Sequence, residues 1–311
     1  MNNKLKTGVL LILLLAVFSF GAVQDNLEKS FQVGPGGTLY VDAEQGSIEV
    51  RGTNENRVDV EIKREVRDYS GESARRVLDD YVIRFDQSGN DVRITAAFKD
   101  REWNREQRRV RNRLHVRFII TVPRDYNVDS LTRGGSIKVE DLDGAVKCET
   151  SGGSLNFDDI TGDINGHTSG GCIRIGAVGG RVNVDTSGGG ITIDNAGGDV
   201  TASTSGGSIT VREVKGIIKA KTSGGSVKAT ISIQPEAECS LKTSGGSVTV
   251  YLDESIAVSV EAHTSGGSIH TDFPVRIQGK IDRQDMNFDI NGGGPGLFLR
   301  TSGGSIYIKK K

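Results

Sequence analysis

Cysteine, proline, histidine and aromatic residues are all scarce in this chain of 311 residues. It has three cysteines, five prolines, four histidines and one tryptophan, and aromatics make up only 5%. Each shortage removes a class of protein. Cys148, Cys172 and Cys239 are an odd count without metal-ligand spacing, so no disulfide scaffold or zinc module rests on them. They are expected to be free thiols that act as small apolar side chains. His115, His167, His263 and His270 form no ligand pattern, and neither a metal nor a cofactor is expected. Only one long apolar run occurs, at 8–20, and it is short for a bilayer span of about 20 residues. Lys4 and Lys6 precede it, and Ser19 and Gly21 supply the small residues of a cleavage site. Residues 1–21 therefore read as a secretory signal peptide, with the mature protein in the periplasm or on the cell surface. Its removal takes two lysines and no acids, so the net charge goes from -1 to -3. A nearly neutral exported chain is not built for nucleic acid.

Glycine, by contrast, is abundant at 42 residues, and much of it recurs in one tetrapeptide. Thr-Ser-Gly-Gly begins at Thr150, Thr168, Thr186, Thr204 and Thr222, in steps of 18. It returns at Thr243 and Thr264 after steps of 21, and at Thr301 after a step of 37. A degenerate copy begins at Thr132. A fixed period marks one structural unit stacked many times. Each unit divides into two nine-residue halves, with glycine at the fourth position and apolar residues at the sixth and eighth. Alternation with period two marks a half-buried strand. Two strands per coil predict an all-β fold, a two-sheet parallel β-solenoid with about 18 residues per coil. One inner wall would carry Ile137/Val139, Leu155/Phe157, Ile173/Ile175, Ile191/Ile193 and Ile209/Val211. The other would carry Val146/Cys148, Ile164/Gly166, Val182/Val184, Val200/Ala202 and Ile218/Ala220. Cys148 and Cys239 would lie roughly 24 Å apart at the strand spacing, far beyond disulfide reach.

Outside the period, residues 22–131 read as a β-rich lobe capping the rod, and 43–50 as its first rung. Strands are expected near 58–66, 81–85, 92–97 and 114–122, with a short helix near 72–78. Residues 132–311 form the solenoid. The lengthened halves 231–242 and 252–263 should bulge as loops, and the excursion 273–300 should belong to a C-terminal cap.

Little of this is chemistry. The Thr and Ser of the repeat fall at a turn, where hydroxyls bond backbone beside glycine, and not across a flat face suited to ice. The aspartate of calcium-binding β-rolls would fall on an apolar inward position. No carboxylate pair repeats on neighbouring rungs, so polysaccharide cleavage is the weaker alternative and no enzyme is expected. Tyr251, Phe298 and Tyr307, the candidates for sugar recognition, are scattered along the sequence. One stretch is distinctive. Residues 99–113 hold Arg101, Trp103, Arg105, Arg108, Arg109, Arg111 and Arg113. The plain reading is a solvated hairpin or loop. The sharper one is a contact site for an anionic polymer, a protein or a peripheral membrane surface in the envelope.

The apolar leader, the β-rich lobe, the Thr-Ser-Gly-Gly-Ser rungs and the ending Asn291-Gly292-Gly293-Gly294-Pro295 followed by Thr301 together resemble a bacterial adhesin-like repeat family, a domain of unknown function. The resemblance covers nearly all of the mature chain. It implies an exported, non-enzymatic β-solenoid acting as an adhesin or cell-envelope interaction module. The alternative is an envelope scaffold or stress-sensing partner of another protein. The family supplies no site residues.

Overall fold

The computed structural model describes residues 23–99, 102–275 and 283–311. The expected signal peptide lies outside them. The described strands form two sheets of 13 strands each, mostly parallel, facing one another across a thin core. The period sets the pairing. Leu155 is the register partner of Ile173 on the first wall, and Val146 of Ile164 on the second, both offset by 18 residues. The predicted inward pairs are buried on both walls, and β-branched side chains dominate the first. Cys148 and Cys239 are buried among them, Cys172 is half-buried at a turn, and all three are free.

A third inward row was not legible as alternation. Leu142, Ile160, Val178, Ala196 and Val214 are also buried, three residues after the second inward position of each strand. An even-numbered step would be required by simple pleating. Asp141 and Asp159, with φ of 61° and 51°, take up the extra residue in two of these strands. Such a local irregularity turns the next side chain back to the core.

The repeated threonine closes each coil. Thr150 Oγ1 donates to the Gly135 carbonyl one coil below at 2.8 Å and accepts the Gly153 N–H at 3.3 Å. Thr168, Thr186, Thr204 and Thr222 repeat both bonds. These five threonines are at most 4% exposed. Serine stitches the same turn: Ser154 N–H donates to Ser136 Oγ, and Ser226 N–H to Ser208 Oγ, each at 3.1 Å. At the opposite turn, side chains of Asn127, Asp163 and Asp199 accept the backbone N–H groups of Ala145, Arg181 and Ile217. That bond is the main cause of the lowered pKa of Asp163.

The lobe is woven from the same two sheets. Ser47–Thr53 pairs in parallel with Ile137–Leu142, and Thr132 Oγ1 donates to the Gly46 carbonyl at 2.9 Å, so the expected first rung stacks directly on the solenoid. Leu114–Pro123 and Asp91–Phe98 add a further parallel rung beyond it. Antiparallel strands Val23–Gln32, Arg57–Val66 and Tyr81–Ser88 then close that end. Helix α1 (Gly71–Asp80) lies over this end, packed against a second helix, α2 (Arg105–Arg111). The plain expectation of a hairpin or loop at 99–113 is thus corrected: its centre is helical. A capping box explains why, since Asn104 Oδ1 accepts the Gln107 N–H and Gln107 Oε1 accepts the Asn104 N–H.

At the other end the order of the coils departs from the order of the sequence. Gly296–Thr301 lies between Cys239–Lys242 and Val258–Thr264, and Ile306–Lys310 between Val248–Leu252 and Ile269–Thr271. The last coil in sequence is therefore the second to last in space. Asp285–Ile290 runs antiparallel along the outer edge of Val258–Thr264. Among the described residues of the 273–300 excursion, this strand covers the final coil as a cap, while 296–300 enters the stack; residues 276–282 lie outside the described residues.

Burial raises the pKa of the Cys148 and Cys239 thiols, and thiolate is the reactive form. Native protein treated with a maleimide is expected to label at Cys172 alone. Labelling at all three positions should require denaturant, as read by intact mass. Rapid native labelling of Cys148 would show that the coils open.

Candidate functional site

The only stretch that the sequence singles out for contact is built around Trp103 and α2. Trp103 is 7% exposed, with its ring edge-on to Phe98 at 5.5 Å between centroids. Phe98 meets Tyr81 in the same way at 4.9 Å. Val110, the buried residue of α2, completes this apolar seat. Arg108 Nε donates to the Trp103 carbonyl at 3.0 Å and ties the helix to the segment before it. The indole therefore anchors the helix and is not offered to a partner. Aromatic area of this size stabilises a docked element best when it is removed from water.

The arginines divide into two groups. Arg111 is half-buried, with its guanidinium over the Phe98 ring at 4.1 Å and near the Trp103 ring at 5.6 Å. It also pairs with Glu44, whose other carboxylate oxygen accepts the Phe98 N–H at 2.9 Å. Arg111 is thus a bridge between α2 and the rung beneath it. Arg113 pairs with Asp68 at 3.2 Å in the open. Arg105, Arg108 and Arg109 are exposed on the outer side of α2. Arg101 lies outside the described residues. Three of the seven singled-out positions therefore lie on a common outward side, with Arg108 also keeping its tie to the Trp103 carbonyl, and the structure assigns Trp103 and Arg111 to internal work. The sequence reading missed the neighbour of this face. Arg75 and Arg76 are exposed on α1, and Arg76 pairs with Glu72 at 3.2 Å. Two adjacent arginines in a short polar helix were the available signal.

The broad faces of the rod are mixed in charge. A shallow groove of about 570 Å³ on the second wall is lined by Tyr40, Lys147, Asn165, Asn183 and Asp199 among others. Lys147 lies 3.7 Å from both Asp129 and Glu149, and Arg181 pairs with Asp163 at 3.0 Å. On the first wall Tyr251 and Tyr307 stand on adjacent strands, so they are neighbours there although far apart in sequence. Phe298 is on the opposite wall. His270 stacks on Tyr307 at 5.2 Å, leaving that ring face covered. Among the described residues no group of three or more His, Cys, Asp or Glu could hold a metal ion. No described helix is long and apolar enough to cross a membrane.

The repeat, the two parallel walls and the rung at 38–53 all lie within a single match to a family model. Residues 38–307 match the Toastrack DUF4097 model. The chain belongs to the Toastrack DUF4097 family. The Toastrack region takes in α1, α2 and the intercalated C-terminal coil as far as Tyr307, while the edge strand Val23–Gln32 precedes it. Similar solved structures include a candidate cell-adhesion protein from Clostridium sporogenes, 14% identical, with 91% of this chain and 99% of that one covered at a TM-score of 0.25. Candidate adhesins from Bacteroides fragilis and Parabacteroides distasonis are 11% and 10% identical. Each alignment covers 92% of this chain and 97% of the other, with TM-scores of 0.37 and 0.38. No curated protein matches the sequence.

Proposed function

We propose that this Toastrack protein is an exported, non-enzymatic interaction module of the cell envelope, of the adhesin type, that meets an anionic envelope surface through α2. The observation that carries the reading is the face of Arg105, Arg108 and Arg109, held outward by a helix whose underside is locked by Trp103, Val110 and Arg111. Arginine binds phosphate with a planar fork of donors, and the docked helix presents the three from one fixed backbone. A rigid rod standing on the end that carries α2 would present its broad polar walls away from the surface.

Each basic residue near an anionic membrane contributes about 1 kcal/mol. Replacing Arg105, Arg108 and Arg109 together by glutamate is expected to weaken binding to phosphatidylglycerol vesicles on the order of 100-fold. Binding should also fall as salt is raised, because these charges are exposed. Vesicle sedimentation with phosphatidylcholine as the neutral control measures both. Binding that survives the triple change, in a variant with unaltered circular dichroism, would sink the reading.

A further inference from the structure

The displaced order of the last coils has a consequence for how copies of the chain meet. Three Thr-Ser-Gly-Gly turns, at Thr243, Thr301 and Thr264, lie one above another in that order. Thr301 Oγ1 donates to the Gly246 carbonyl at 2.6 Å, and Thr264 Oγ1 to the Gly304 carbonyl at 2.7 Å. Ser305 N–H donates to Ser247 Oγ at 3.3 Å, and Ser268 N–H to Ser305 Oγ at 3.2 Å. The intercalated coil thus makes the threonine bond that recurs along the rod, and the serine bond found wherever serine follows the glycine pair, with the coil below and the coil above. Nothing in those bonds depends on which molecule supplies the coil.

Its tether is also unusual. Residues 291–295 carry the chain from the outer edge strand, across the start of Val258–Thr264, to the inner slot. Three consecutive residues there are left-handed: Asn291 at φ 51°, Gly292 at 93° and Gly293 at 83°. Asn291 Nδ2 donates to the carbonyls of Glu254 and Ile256, both at 2.8 Å, and pins the crossing in place. A short hinge under conformational demand is the setting in which an element passes to a neighbouring molecule.

Chain growth adds a kinetic reason. The coils at 239–252 and 258–271 are joined by only five residues, and Thr243 and Thr264 are 21 apart. That is also the spacing of Thr222 and Thr243, which stack directly, since Lys219 is the register partner of Ser240. The earlier coil can therefore reach the Gly246 position before residues 296–310 arrive, because the shorter loop closes first. A chain in this arrangement has a free C-terminal coil, and a chain with an open slot can receive it.

We propose that the coil at 296–310 is an exchangeable donor that joins two copies of this chain, the segment of one entering the slot between 239–252 and 258–271 of the other. Cysteine pairing reads the exchange directly. Thr249 and Tyr307 are register partners across the slot, and both are partly exposed. Full-length T249C and Y307C variants, each carrying Cys172→Ser, would be unfolded, mixed, refolded together at high concentration and oxidised. The T249C/Y307C double variant, refolded dilute, reports whether the two positions can close a disulfide. The expected result is a covalent dimer linked between positions 249 and 307, identified by mass spectrometry, and at least several-fold enriched over the same mixture refolded dilute. Intrachain closure in the double variant with no 249–307 dimer in the mixture would overturn the proposal.

Discussion

Gly153→Ala is expected to cost about 3–5 kcal/mol, among the largest effects of any single methyl group in this protein. A Cβ at Gly153 would overlap the carbonyl oxygen of Gly135 in the coil below. Its backbone is not left-handed, so the requirement is space and not conformation. The obstacle is backbone held in a parallel ladder, which cannot swing aside as a side chain can. Relief would require the two coils to part, at the expense of bonds such as Ile137 N–H to the Ser154 carbonyl at 3.0 Å. Gly152 supplies the control. A Cβ there has its nearest neighbour at 3.8 Å, an ordinary contact. Gly152→Ala is expected to change stability by no more than about 0.5 kcal/mol. Thermal unfolding should separate the two variants by roughly 4–7 °C. Equal midpoints would mean that the coils slide over one another more easily than their hydrogen bonding implies.

The second large effect belongs to the threonine row. Thr204→Val keeps the shape of the side chain and removes the hydroxyl. Thr204 Oγ1 donates to the Gly189 carbonyl at 2.7 Å and accepts the Gly207 N–H at 3.4 Å, with the residue only 4% exposed. Both backbone groups would lose their partner in a site that water does not readily reach. An unsatisfied buried group costs about 1–3 kcal/mol, so a loss of about 2–4 kcal/mol is expected. Thr204→Ser retains the hydroxyl and loses one methyl, worth about 0.8 kcal/mol. Because a solenoid is stabilised coil by coil, global unfolding should be accompanied by faster amide exchange at Gly207 and its neighbouring coils. If valine is tolerated as well as serine, the hydroxyl row is not what holds the turn.

These two residues also mark how far the sequence could be read. The tetrapeptide told of a turn, of glycine at its fourth position and of hydroxyls directed at backbone, and all three are present. It did not distinguish the two glycines. Gly152 and Gly153 are alike in the repeat, but only the second faces the coil beneath, and that difference appears when neighbouring coils are stacked. The inner row of Leu142, Ile160 and Val178 was hidden for a related reason. It lies out of phase with the strand alternation, and the phase shift arises in the backbone at positions such as Asp141 and Asp159.

The candidate site was legible in composition and illegible in arrangement. Seven residues of the 99–113 stretch looked equivalent as an arginine-rich segment around one tryptophan. Folding assigned Trp103 and Arg111 to the seat of α2 and left Arg105, Arg108 and Arg109 outside. The deciding contacts come from far away in sequence. Glu44 holds Arg111 across 67 residues, and Phe98 belongs to the rung that Thr38–Ala43 pairs with. No local pattern records such partners.

The sequence by itself determined the coil. Its period, its inward residues, its two turns and the parallel pairing at an offset of 18 all follow from contacts between a unit and its nearest copies, and a repeat states those contacts many times over. Only the tertiary structure decided the two ends. There the chain leaves the period, and each segment is placed by a single set of long-range contacts written once. The slot taken by 296–310 was open in principle to 258–271, which carries the same motif and lies nearer in sequence. Both coils satisfy the same hydrogen bonds, so the choice between them rests on the crossing at 291–295 and the edge strand that holds it.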